Sequence, residues 1–324
     1  MPRKTAAWLS LARFAMYHHL RIQVTKDYLR LLRFIRGKTT GLVFSGGGTR
    51  GWAHLGVIKA LREEKIPIDM VGGSSVGAIV AGCYAIHESY EDAYERFFKV
   101  IRESTHSVSW RSLTWPSISL FNAEKFTNSL IDVFDNMQIE DLWLPFFCVT
   151  CNLATDTEET HYRGLLWERV RASSSIPGII PPVLINNELH MDGGLLNNLP
   201  VDIMRAFLGN KAKIIAIELN SYTRDTQKYQ FPPILTFKQT LLAKLGFSSV
   251  PYRFPQFIDT FLRALFIGAL AKSRQNGLSA NILVGLDLNK FPLLHSTRKQ
   301  AEKLIQIGYE STIKQIQQVK SENE

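Results

Sequence analysis

Residues 41–86 read GLVFSGGGTRGWAHLGVIKALREEKIPIDMVGGSSVGAIVAGCYAI, and the fold follows from them. Gly41-Leu42-Val43-Phe44-Ser45 is a short apolar run that stops at glycines, the pattern of a buried strand. From Trp52 to Glu64, Leu55, Ile58 and Leu61 recur at helical spacing, and Lys65-Ile66-Pro67 ends the helix. Ile68 to Gly72 repeats the strand pattern. Ser75 to Ile86 is small and apolar throughout, as a helix buried on most sides is. Strand, helix, strand, helix is a βαβα unit. The chain is therefore α/β, with a central, mainly parallel sheet flanked by helices and joined by right-handed crossovers.

Working outward, further strands are expected at Phe146–Cys151, Val183–Ile185 and Lys213–Leu219, which places the sheet within residues 41–220. A polar, Pro-containing stretch (Ser221–Pro233) follows. Then come helical patterns at Ile234–Leu245 and Phe257–Leu270, a strand pattern at Ile282–Leu286, and a last helix that Thr297 with Gln300 opens as a capping box. Three parts result: a basic amphipathic arm (1–38), a core (39–220), and a mainly helical part (221–324) that completes or covers the core.

The 324 residues are 45% hydrophobic and 21% charged, which excludes a disordered chain. Cys83, Cys148 and Cys151 are too few for a secreted disulfide framework and fit a reduced, cytoplasmic protein. Cys148-Val149-Thr150-Cys151 is a lone C-x-x-C without the second pair that zinc needs. No signal-peptide pattern is expected, and Phe257–Ala271, interrupted by Asp259 and Arg263, is short of the ~20 residues of a spanning helix.

Residues 1–38 hold nine Lys/Arg against one acid, Asp27, so the arm carries +8 of the formal +9. The rest is near neutral, which excludes a whole-surface nucleic-acid footprint. In the arm Leu9, Phe14, Tyr17, Leu20, Leu31 and Ile35 interleave with the basic residues. Two readings stand. The arm meets an anionic membrane surface, or it packs its apolar side on the body and shows its charges to water.

Gly46-Gly47-Gly48-Thr49-Arg50-Gly51 lies between a strand and a helix. Glycines leave backbone N–H groups unobstructed, and a helix start favours negative charge. The guest is a phosphate or the oxyanion of acyl transfer. As a dinucleotide fingerprint the motif needs an acid closing the next strand, and Asp69 begins that strand instead. At its end stands Gly73-Ser74-Ser75-Val76-Gly77, a G-x-S-x-G in the strand–turn–helix setting of a nucleophile elbow, with Ser75 projected and Gly73 and Gly77 supporting the turn. Ser74 is the competing hydroxyl. A serine needs a base. Candidates are Asp192, in Met191-Asp192-Gly193-Gly194, or a triad through His54 or His190. An aspartate alone, with an ordinary pKa near 3.9, is a feeble base unless burial raises it.

The three ordered motifs resemble the patatin-like phospholipase family, with the nearer likeness to the catalytic domain of neuropathy target esterase and its bacterial relatives. The segments His54–Leu61, Gln138–Pro145, Val170–Ser173 and Met191–Pro200 carry the likeness further, over roughly residues 40–220 and the final helix. The resemblance implies a three-layer patatin-like fold and a Ser75–Asp192 dyad without histidine. It implies an oxyanion hole from Gly46, Gly47, Gly48 and Gly51 with Arg50 reinforcing the loop, and Gly193 and Gly194 completing the Asp-Gly-Gly motif. It further implies hydrolysis of phospholipid or lysophospholipid acyl esters, with no cofactor and no metal for the chemistry. The alternatives are a nucleotide- or phosphate-binding module, or a catalytically silent lipid-binding protein. Acyl-chain contacts are expected from Ile176, Ile179, Ile180 and Val183. Trp110–Phe121 is a lid candidate but is expected to be a buried loop.

Overall fold

The computed structural model describes all residues except 1, 13, 15, 108–111, 116–117, 220–228, 248–251, 256 and 322–324. Two compact units form: residues 1–221 with 268–324, and residues 222–267. In chain order, α1 (Thr5–Leu9) and α2 (Thr25–Ile35) precede β1 (Thr40–Phe44). A 3-10 turn at Gly48–Gly51 leads into α3 (Trp52–Glu63), β2 (Met70–Ser74), α4 (Val76–His87), α5 (Tyr90–Ser107) and α6 (Glu124–Phe134). Next come β3 (Phe146–Asn152), β4 (Thr157–His161), α7 (Leu166–Ser173), β5 (Val183–Ile185), β6 (Glu188–Asp192), α8 (Val201–Leu208) and β7 (Lys213–Glu218). The chain ends with α9 (Phe237–Lys244), α10 (Phe257–Ser279), β8 (Ile282–Gly285) and α11 (Arg298–Ser321).

The larger unit holds an eight-stranded sheet in the order β5-β6-β3-β2-β1-β7-β8, with β4 also on β3. β1 and β2 are buried at every residue, as strands covered on both faces are. α4 is buried from Val76 to Ile86. The expectation that the sheet ends by residue 220 fails, because β8 pairs in parallel with β7 from Ile215↔Ile282 to Glu218↔Gly285. Thr297 and Gln300 do cap α11, each backbone N–H meeting the other's side chain.

One strand brings the ends of two others together. β4 covers one edge of β3 from Cys148 to Asn152. The other edge is shared: β2 takes Phe146 to Val149 in parallel, and β6 takes Thr150 to Asn152 antiparallel. The carboxyl ends of β2 and β6 therefore meet head to head beside Val149 and Thr150. Ser75 follows β2, and Asp192 ends β6.

In the arm, α2 turns Asp27 and Arg30 inward, with Leu31 and Phe34 half-buried beside them, so the reading that packs an apolar side on the body and shows the charges to water holds only in part. Asp27 is fully buried and accepts from Arg21 Nε at 2.7 Å and Nη2 at 2.6 Å, with Arg30 Nη2 at 3.4 Å. Glu88, which follows α4, takes Arg21 at 2.8 Å and Arg30 at 3.2 Å, and Asp69, which precedes β2, takes Arg33 at 2.6 Å. Tyr28, Leu29, Leu32 and Ile35 are left exposed. The physical reason is two carboxylates at the amino-terminal edge of the sheet, whose burial only cations make tolerable.

In the smaller unit α9 begins with a capping box between Thr236 and Gln239. Gln230 and Arg253 exchange backbone hydrogen bonds at 3.1 and 2.9 Å. Most of the polar stretch 221–233 lies outside the described residues.

Candidate active site

Ser75 sits between β2 and α4 with φ 54° and ψ −128°. This is a positive-φ conformation that costs a non-glycine residue roughly 1–3 kcal/mol and marks a sharp elbow. The turn closes because Gly73 and Gly77 face the Phe44 carbonyl at the end of β1. A Cβ on Gly77 would strike that oxygen. The Ser75 N–H donates to Ser173 Oγ at 3.1 Å, which ties the elbow to the end of α7. Ser74, the competing hydroxyl, is fully buried, and its Oγ has no hydrogen-bond partner among the described residues.

Ser75 Oγ donates directly to Asp192 Oδ2 at 2.7 Å. The other carboxylate oxygen accepts from the Gly194 N–H at 2.8 Å, and the Asp192 N–H donates to the Ser175 carbonyl at 3.0 Å. The Ser173-Ser174-Ser175 run thus holds both partners, Ser75 through a side chain and Asp192 through a carbonyl. Asp192 is fully buried. Burial pushes its carboxyl up to about 7, outweighing the Ser75 and Gly194 hydrogen bonds that favour the anion.

No imidazole stands between the two. His54 Nε2 bonds to the Ser45 carbonyl at 2.9 Å, and burial lowers its pKa to about 4. His190 Nδ1 lies 2.9 Å from Thr150 Oγ1, which also meets His161 Nε2 at 2.7 Å. Neither triad candidate reaches Ser75.

The glycine loop adjoins the elbow: a Cβ on Gly46 would come within 2.9 Å of Ser75 Cβ. Its five candidate residues are not equivalent. The Gly46 N–H donates to the Asn198 carbonyl at 3.2 Å, and Arg50 N–H donates to Gly47 at 3.3 Å. Gly51 closes the 3-10 turn. The Gly47 and Gly48 amides donate to no group among the described residues. Gly48 has φ +57°, and its open side is filled by the Leu293 carbonyl. That carbonyl also accepts from Thr49 N at 2.8 Å, and Arg50 Nε bonds to the Phe291 carbonyl at 3.0 Å. Arg50 thus fastens the loop to residues 291–293. A phosphate cradle would compete for the Thr49 amide, and Asp69 is committed to Arg33 at the opposite edge of the sheet.

Ile179 and Ile180 are buried, and Ile176 and Val183 are half-buried. The buried-loop expectation for Trp110–Phe121 is overturned where residues are described: Leu113, Trp115 and Ile118 are exposed, Trp115 by 83%. Trp110, Arg111, Pro116 and Ser117 lie outside the described residues. The loop is anchored by Leu120 N–H to Gly178 and Phe121 N–H to Ile179. Cys148 and Cys151 sit three apart on β3 and are buried free thiols, which an odd spacing sends to opposite faces. Sequence reading missed Ser173, Ser175 and Asn198. The triple-serine run after a helix and the Asn197-Asn198 pair were the available signals.

A mainly parallel α/β sheet with a strained serine at the carboxyl end of a strand has the backbone geometry of a nucleophile elbow. The patatin-like phospholipase family model matches residues 42–205, and the chain belongs to that family. Among its relatives, the Caenorhabditis elegans patatin-like phospholipase domain-containing protein ZK370.4 is 38% identical over 232 residues, 70% of this chain and 17% of that protein. Human patatin-like phospholipase domain-containing protein 6 is 41% identical over 60% of this chain and 14% of its own length. Lysophospholipase NTE1 of Eremothecium gossypii is 42% identical over 56% of this chain and 12% of its own. The chain therefore spans less than a fifth of each of these three relatives.

Proposed function

We propose that this chain is a serine acyl hydrolase that cleaves acyl esters of phospholipids or lysophospholipids through a Ser75–Asp192 dyad. The observation that carries the reading is the 2.7 Å bond from Ser75 Oγ to a carboxylate that burial has made basic. Ser75 Oγ attacks the ester carbonyl as its proton passes to Asp192. The carbonyl oxygen becomes an anion facing the Gly47 and Gly48 amides, donors of the kind whose loss costs about 10²–10³ in turnover. Collapse expels the alcohol, which takes the proton from Asp192. Water then gives its proton to Asp192 and attacks the acyl-enzyme, and collapse releases the fatty acid as Asp192 returns that proton to Ser75 Oγ. A base with a pKa near 7 is matched to neutral pH, where an ordinary aspartate is not.

The names of the family and of lysophospholipase NTE1 support the lipid substrate class. The arm supports peripheral contact with an anionic bilayer, since its outward face is apolar at Ile22, Leu32 and Ile35 and carries Lys26, Arg36 and Lys38. Among the described residues no helix is long and apolar enough to cross a membrane. The test is to incubate wild type and Ser75→Ala with phospholipids and lysophospholipids and to identify products by mass spectrometry. Free fatty acid released by wild type alone is expected. Release that survives Ser75→Ala, or no release from any acyl ester, overturns the reading.

A further inference from the structure

A second polar cluster lies on the same sheet face as Asp192 and takes no part in the reaction above. Glu159 on β4 and Glu188 and His190 on β6 each bring one ligand-type atom to within 4.8 Å of the others. The register explains the meeting. Thr150 on β3 pairs with Glu159 on one side and with Asp192 on the other, while Asn152 pairs with His190. Alternation along the strands then puts residues 150, 152, 159, 188, 190 and 192 on one face.

Four features mark a built site. His190 is 1% exposed, and its Nε2 faces Glu159 Oε2 at 3.7 Å, beyond hydrogen-bond distance, with no hydrogen-bond partner among the described residues. Its other nitrogen is held by Thr150 Oγ1 at 2.9 Å, the outer-shell partner that fixes the ring of a metal-ligating histidine. Asn152 Nδ2 donates to both carboxylates, 2.6 Å to Glu188 and 3.2 Å to Glu159, and so orients them together. Neither carboxylate has a Lys or Arg partner within salt-bridge distance among the described residues, whereas neighbouring Glu158 has Lys272 at 2.7 Å. Two adjacent anions and an imidazole nitrogen without a donor partner are what a cation relieves.

We propose that Glu159, Glu188 and His190 form a site for a divalent transition cation of the zinc type, which pins β4 and β6 across β3. One imidazole with two carboxylates suits zinc better than calcium, which takes oxygen ligands. Tetrahedral bonds of about 2.1 Å put donors about 3.4 Å from one another, so side-chain closure of up to about 1.5 Å completes the set. The role is structural. It rests on no step of the hydrolase reading, and the site holds the strand that ends in Asp192.

The test is titration calorimetry of the chelator-treated full chain with Zn²⁺, with thermal melts of the same samples. Wild type is expected to bind one Zn²⁺ and to melt at higher temperature with it. Glu188→Gln is expected to weaken binding at least about tenfold, and Glu159→Gln/Glu188→Gln about a hundredfold. Circular dichroism of each metal-free variant checks folding, and Glu188→Gln serves if His190→Gln fails to fold. Absence of Zn²⁺ binding, binding unchanged in the double variant, or tighter binding of Ca²⁺ that ignores His190→Gln each overturns the proposal. None of these readouts involves ester turnover.

Discussion

Asp192 and Asp27 are both fully buried aspartates, and the protein treats them in opposite ways. Burial alone raises the pKa of each. Around Asp192 only a serine hydroxyl and one amide offset it, and the carboxyl rises to about 7. Around Asp27 the hydrogen bonds from Arg21 and the charges of Arg21 and Arg30 outweigh burial, and the pKa falls. The first carboxylate is kept basic at the carboxyl end of the strands. The second is an ion-pair anchor at their amino end. Burial alone does not make a base; burial without a cation does.

The largest expected effect comes from breaking the proposed dyad. Ser75→Ala should lower ester turnover by about 10⁶-fold and abolish fluorophosphonate labelling. Asp192→Asn should cost on the order of 10³-fold in turnover while leaving the fold intact. The same substitution sharpens the comparison in thermal melts. A carboxyl with a raised folded pKa contributes stability that is present below its unfolded value and lost as pH rises through about 7. Asp192→Asn should therefore gain more stability over wild type at about pH 8 than at about pH 5.

Asp27→Asn should do the reverse and destabilise by about 3 kcal/mol, because buried Arg30 loses a partner. With its pKa lowered on folding, Asp27 contributes stability above its unfolded pKa that is lost as pH falls. Urea melts of wild type and Asp27→Asn should converge on acidification. Ser173→Ala removes the acceptor for the Ser75 N–H and should cost about 1 kcal/mol with a modest fall in turnover. The smallest effect on turnover per folded molecule is expected from His190→Asn: the proposed dyad without histidine retains most of its turnover, and a hundredfold loss in protein that circular dichroism shows to be folded would restore the triad.

The parallel core and its serine were legible because β1, β2 and α4 are buried on every side, which writes continuous apolar runs into the chain. β4 (Thr-Glu-Glu-Thr-His) was not legible, since a half-buried edge strand needs no apolar residues. β6 had a local signal that went unread: Asn186-Asn187 after Val-Leu-Ile, both with positive φ, is the two-residue turn of a hairpin. The Ser75–Asp192 meeting depends on two strands sharing one edge of β3, which is a tertiary fact. The arm was legible as amphipathic but not in its orientation. That depended on Glu88 and Asp69, residues far from it in sequence.

The most direct test of the account is the pH dependence of fluorophosphonate labelling at Ser75, compared among wild type, Asp192→Asn and a His54→Gln/His190→Gln double variant. Wild type should show a rising limb with a midpoint near 7. That limb should persist without the histidines and vanish with Asp192→Asn. A limb that survives Asp192→Asn, or disappears with the histidines, would contradict it.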